Sequence, residues 1–194
     1  MNIKRYIATI ILAIVLLLNF SCTDWLDVKP VDRMSEDQLY STEAGFRQAL
    51  NGIYVELNHA DLYGDELLVN TVEILAQRYK FSSMGTLTNQ YHLAEFDYTT
   101  DYAKKCGSRI WEKAYALIAN VNKLLKNADS HKDLFTGDSY DLITGEAYAL
   151  RAFLHFDLLR LFGPVYKTHK EDKSICYNTQ FSLSGSDLLP ASKV

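Results

Sequence analysis

Cysteine, proline and glycine are all scarce, at three, three and nine residues in a chain of 194. Three cysteines are too few for the disulfide framework of a small secreted scaffold. So few prolines and glycines leave little for the many tight turns of a β-sandwich. Positive charge is not in surplus either. Twenty Lys and Arg stand against 24 Asp and Glu, a net charge of −4. That offers no basic footprint for a phosphate backbone. No apolar run reaches the about 20 residues that a membrane-spanning helix needs. His-Glu-x-x-His, Gly-x-Ser-x-Gly and phosphate-cradling glycine loops are also absent. What is present, 48% apolar, 23% charged and 12% aromatic, is the composition of one folded domain.

The N-terminus follows a different rule. Lys4 and Arg5 precede an apolar run from Ile7 to Leu18 that only Thr9 interrupts, and then come Asn19, Phe20, Ser21 and Cys22. A basic start and a short apolar core are the layout of a secretory signal. The small Ser21 directly before Cys22 points to a lipoprotein signal peptide over residues 1–21, with Cys22 as the acylated new N-terminus. Asn19 and Phe20 fit the usual cleavage box poorly, and ordinary cleavage leaving Cys22 free is the alternative. Cys106 and Cys176 lie too far apart for a zinc site, which needs four closely spaced ligands, and are expected as unpaired thiols, with a disulfide between them, which an exported chain permits, as the alternative.

The rest of the chain reads as helix after helix. Ser35 with Gln38 forms a capping box, and Ser41 or Thr42 caps a helix with Phe46, Leu50, Ile53, Tyr54 and Leu57 on one face. A third helix is expected from Asp65 to Tyr79, with Leu67, Leu68, Val72, Leu75 and Ala76 turned inward. In the fourth, the apolar residues from Ile110 and Trp111 to Leu124 and Leu125 fall within an arc of about 140° at 100° per residue. The fifth, Tyr140 to Phe162, is apolar nearly all round and must be covered on most sides. Gly163 and Pro164 stop it, with Gly163 free to adopt a left-handed closing conformation. Within it, Asp157 and Arg160 are spaced as an ion pair, and Arg151 and His155 mark the one polar stripe. Beyond lies loop, with a short extended stretch around Ile175 to Leu183 and no compelling strand pair. The fold class is all-α.

Between the third and fourth helices, residues 79–102 hold Tyr79, Phe81, Tyr91, Phe96, Tyr98 and Tyr102, about twice the chain-wide aromatic share of 12%. Ser82, Ser83, Thr86, Thr88 and Asn89 are interspersed. A connection longer than about 15 residues in a compact domain is usually functional or disordered, and disorder is poor in aromatics. Flat rings beside amides and hydroxyls suit sugars, since the C–H face of a pyranose packs on a ring. The competing explanation is that the rings merely pin the loop to the helices. The candidate ligand-binding residues are Arg78 and Tyr79 at the loop entrance with Asn89, Tyr91 and His92 at its middle. No catalytic residue and no metal site is assigned. His59/Asp61, His131/Asp133 and His155/Asp157 share a His-x-Asp spacing, but on a helix His155 and Asp157 diverge by about 200°, and the other two pairs flank helix ends, where Asp is commonly a cap.

The run Gly145-Glu-Ala-Tyr-Ala-Leu-Arg-Ala-Phe-Leu-His-Phe-Asp-Leu-Leu-Arg-Leu-Phe-Gly-Pro-Val165 resembles the signature helix of the SusD/RagB family of outer-membrane nutrient-binding lipoproteins. Three further segments agree in order and spacing: Cys22-Thr-Asp-Trp-Leu-Asp27, Ala49-Leu-Asn-Gly-Ile-Tyr54, and Ile110-Trp-Glu-Lys-Ala-Tyr115 continuing through Ile118, Asn120 and Asn122. The resemblance implies helical pairs of the tetratricopeptide type, with residues 22–194 as an N-terminal helical part that is incomplete at its C-terminus. It implies a lipid-anchored, surface-exposed protein of the outer membrane. Such a protein would take an oligosaccharide or peptide and deliver it to a SusC-like TonB-dependent transporter, with no cofactor and no bond broken. The alternative is a helical protein-interaction module, or a non-functional fragment, with no ligand site of its own.

Overall fold

Thr42 has an extended backbone, and its Oγ1 accepts the Gly45 N–H at 3.1 Å, which starts a helix at the next residue. The computed structural model describes residues 35–81, 85–182 and 185–194; Cys22 and the expected signal peptide lie outside them. A single turn, α1 (Glu36–Leu39), comes first, followed by α2 (Glu43–Leu57). A Cβ at Gly45 would lie 1.7 Å from the Leu39 carbonyl oxygen, so only glycine lets α1 close onto α2. Then come α3 (Thr71–Leu75), α4 (Thr88–Ala94) and the 30-residue α5 (Asp101–Ser130), whose cap is Thr100 accepting the Ala103 N–H. A short 3-10 turn leads into α6 (Ser139–Phe162), and α7 (Tyr166–His169), β1 (Lys173–Cys176) and β2 (Leu188–Pro190) follow.

Side-chain pairs fix how the long helices run. Trp111 meets Phe162, Asn122 meets Arg151, and Asp129 meets Tyr140, so α5 and α6 are antiparallel. Lys113 pairs with Glu56 near the end of α2 and Lys123 with Glu36 of the preceding α1, so the chain through α1 and α2 runs opposite to α5. Arg47 to Ser139 and Tyr54 to Glu146 run in step, so α2 and α6 are parallel. Between these three helices lies the main core. Phe46, Leu50 and Ile53 of α2 meet Ile110, Leu117, Ile118, Val121 and Leu124 of α5 and Ile143, Ala147, Leu154 and Leu158 of α6. Ile175 of β1 adds to it and is fully buried.

The all-α expectation holds, and several details change. Tyr54 is turned to the helix edge, where its hydroxyl donates to Glu146. The helix expected over Asp65–Tyr79 shrinks to α3. Glu66 is buried, with its carboxylate accepting from Thr71 and Asn70 and facing Arg109, so the chain enters in turns and Leu68 is left outside. Gln77 then takes φ +58 and ends the helix, its amide donating to the Ala94 carbonyl. The long aromatic connection is not all loop, because α4 lies inside it. Leu93 and Ala94 of α4 bury a second small core with Ile74 and Ala103, flanked by Phe81 and Tyr102. Gly163 has φ −81 rather than a left-handed value, and its N–H closes on Leu159 O at 2.9 Å. A two-stranded antiparallel pair, β1 with β2, is present where none was expected.

Asp157 and Arg160 form the expected ion pair at 3.4 Å. Cys106 is buried, Cys176 half-buried, and both are free thiols. The covering expected around α6 is incomplete: Leu142, Tyr148, Phe153 and Phe156 stand exposed on one side of it. Among the described residues, no helix is long and apolar enough to cross a membrane.

Candidate functional site

The small core beneath α4 leaves an open cleft of about 550 Å³ where it meets the long helices. One wall comes from α3 and α4, through Leu75 and Leu93. The floor is the first half of α5, where successive turns place Ala103, Gly107, Ile110 and Trp111 side by side. Leu161 and Phe162 of α6 close the far end, and Tyr98 overhangs the opening with its ring largely exposed. Lys104, Ser108 and Glu112, at a spacing of four, follow one rim of α5.

The aromatic end is held by packing. Trp111 lies 5.2 Å from Phe162, nearly perpendicular, and 4.8 Å from Tyr115. Phe162 also packs over Gly107, where an added Cβ would meet the ring at an ordinary contact distance of 3.6 Å. Behind the floor, Arg109 pairs with Asp61 and reaches Glu66 at 3.4 Å. Desolvation pushes the Cys106 thiol above its usual value, and the nearby Glu66 pushes it the same way. That thiol is protonated and inert at neutral pH.

The residues singled out in the sequence sit around this cleft rather than in it. Arg78 is exposed and 4.0 Å from Glu73. The Tyr79 hydroxyl donates to Val69 O at 2.8 Å while its ring packs edge-on against Phe81. Asn89 is exposed on α4. Tyr91 and His92 are half-buried neighbours with rings 5.7 Å apart, and His92 faces Asp97 at 3.6 Å. Tyr91 and His92 are thus brought together, whereas Arg78 and Tyr79 engage other partners. None of the five lines the cleft. Of the aromatic residues that do, Tyr98 stands in the connection without being one of the five chosen for binding, and Trp111 and Phe162 read as core of the long helices.

Of the His-x-Asp pairs, His59 contacts Asp61 at 3.3 Å, while His155 and Asp157 point apart as their helical spacing requires. Among the described residues no group of three or more His, Cys, Asp or Glu is arranged to hold a metal.

The fold is that of an all-α module with an open, aromatic-edged cleft. The chain belongs to the SusD-like family described as starch-binding associating with outer membrane, which it matches over residues 24–184. It is 27% identical over 162 residues to SusD-like protein P2 of Formosa agariphila, a match covering 84% of this chain and 30% of that protein. It is also 27% identical over 148 residues to SusD-like protein P25 of the same organism, covering 74% of this chain and 28% of the relative. The chain thus spans less than a third of the length of these curated relatives. No solved structure shows a significant match.

Proposed function

We propose that this chain is the glycan-capturing part of an outer-membrane lipoprotein, anchored through acylated Cys22 at the cell surface, that passes its ligand to a TonB-dependent transporter. The cleft is the observation that supports this most. Its exposed Tyr98 ring and the Trp111–Phe162 end offer apolar faces for sugar C–H groups, and Lys104, Ser108 and Glu112 stand within one rim to meet hydroxyls. An open cleft leaves part of a bound ligand exposed, which suits a carrier that must release its cargo. Around it, Asn89, Tyr91 and His92 share α4 with the cleft-lining Leu93, and Arg78 and Tyr79 follow α3; these five form the outer part of the binding surface. The chemistry proposed is capture without bond cleavage.

Titration with soluble starch and maltooligosaccharides, by calorimetry and by affinity electrophoresis, tests the reading. Saturable binding is expected, and no response to any glycan at millimolar concentration overturns it. Cys22→Ala is expected to move the protein from the membrane to the soluble fraction; unchanged fractionation overturns the anchor. A second reading, a helical module that holds another polypeptide and no glycan, draws on the exposed Leu142, Phe153 and Phe156 of α6. Transporter co-purification without glycan binding is the result that favours it.

A further inference from the structure

The segment after β1 is held to the long helices almost entirely through its main chain. Tyr115 of α5 donates its hydroxyl to Cys176 O at 2.8 Å. Asn122 of α5 donates to Asn178 O at 2.9 Å and Gln180 O at 3.2 Å. Arg151 of α6 donates to Thr179 O at 2.7 Å and to Asn122 Oδ1 at 2.8 Å, which ties the two helices' contributions together. In the bonds from Asn122 and Arg151 the strap accepts through its main-chain oxygens. One bond runs the other way: the Asn178 N–H donates to His155 Nε2 at 3.1 Å.

The partners of His155 determine its protonation state. Its Nδ1 lies 2.8 Å from Arg151 O, a carbonyl that can only accept, so Nδ1 carries the hydrogen. Nε2 faces an amide that can only donate, so it is bare. The imidazole is therefore neutral and satisfied at both nitrogens while only 2% exposed. A second proton on Nε2 would set N–H against N–H in a buried space. Arg151 of α6 is the charged group beside the ring; Tyr115 of α5 and Tyr177 of the strap face it edge-on at 6.4 and 4.9 Å. Asp157 turns away to Tyr63 and Arg160 and offers the imidazolium no partner.

We propose that residues 177–180 are an acid-released latch, in which protonation of His155 breaks the bond that the Asn178 N–H donates to it and frees the strap from the α5–α6 pair. Burial, reinforced by the Arg151 charge, lowers the histidine below its ordinary 6.5. The sign follows from proton counting. The released form binds one more proton than the latched form, so the latch holds above pH 6.5 and weakens as pH falls below it. Release loosens the strap and the adjoining Phe181, over which Lys123 now sits at 5.0 Å.

Nuclear magnetic resonance on the intact chain tests this without any ligand. From pH 7.5 to 4.5, the His155 ring nitrogens and the amides of Asn178, Thr179 and Gln180 are expected to move with one shared midpoint below 6.5. In His155→Gln, whose carbonyl accepts the Asn178 N–H but does not titrate, that step is expected to vanish while the neutral-pH strap signals persist. Three results overturn the proposal: ring titration with stationary strap amides, an unchanged strap transition in His155→Gln, or a ring that stays neutral until the whole chain unfolds. Should His155→Gln fail to fold, the shared midpoint in the unsubstituted chain decides.

Discussion

Trp111 and Phe162 meet edge to face, ring centroids 5.2 Å apart and planes at 86°, at the point where α5 and the last turn of α6 close the cleft. Trp111 is half-buried, with one edge toward the opening. Trp111→Ala is expected to cost about 2–3 kcal/mol, less than the ~3–5 kcal/mol lost with a fully buried large aromatic. Urea unfolding checks this. A loss below about 1 kcal/mol would mean that the ring does not join the two helices.

Ligand binding should distinguish the cleft from its surroundings. Tyr98→Ala removes the exposed ring over the opening and is expected to weaken glycan binding about tenfold, which corresponds to ~1.4 kcal/mol. Tyr79→Ala and Tyr91→Ala should produce smaller losses, because Tyr79 is committed to Val69 and Phe81 and Tyr91 to His92. Calorimetry with the best-binding maltooligosaccharide makes the comparison. A larger loss at Tyr91 than at Tyr98 would move the site out to α4.

Gly45→Ala puts a methyl into the Leu39 carbonyl oxygen, a backbone atom that cannot swing aside. The expected destabilisation is on the order of 3 kcal/mol, at the upper end for overpacking. A melting temperature unchanged from the parent would show that α1 is free to move away from α2.

Acid should weaken the joint between α2 and the start of α6. Hydroxyls of Ser139 and Thr136, with the Arg47 guanidinium and the Thr136 N–H, hold the Glu43 carboxyl down to about 2 from 4.5. A carboxylate lowered in the folded state adds stability that is complete above pH 4.5 and is lost as pH falls toward 2. The melting temperature of the parent should therefore decline across that interval. Glu43→Gln should flatten the decline, and parallel pH profiles for the two would rule out this residue as its source.

What could be read from the sequence was whatever repeats with the helical period. The apolar arc from Ile110 to Leu125 is buried as expected apart from the half-buried Trp111, and the fifth helix begins one residue early and ends at the expected Phe162. The failures lie where a single polar group overrides the pattern. Glu66, drawn inward to Thr71 and Arg109, breaks the expected third helix although Leu67 and Leu68 have helical spacing. The left-handed Gln77 just before the aromatic connection and Phe96 within it carry no sequence signal, since neither is glycine or asparagine. The Asn122–Arg151 bond joins positions 29 apart, and only the antiparallel pairing brings them together. The cleft was hidden for the same reason, being assembled from four elements that no local pattern connects.

The pairs Trp111–Phe162, Asn122–Arg151 and Asp129–Tyr140 make α5 and α6 two edges of a zip fastener. One residue inserted between Trp111 and Asp129 would rotate one end of α5 by about 100° and advance it by about 1.5 Å, so the two outer pairs could no longer close together. Length change is therefore forbidden inside the toothed part and tolerable only in the slider between them, residues 131–138. Drift among homologues of this hairpin should appear as substitution along its arms and as gaps confined to that turn.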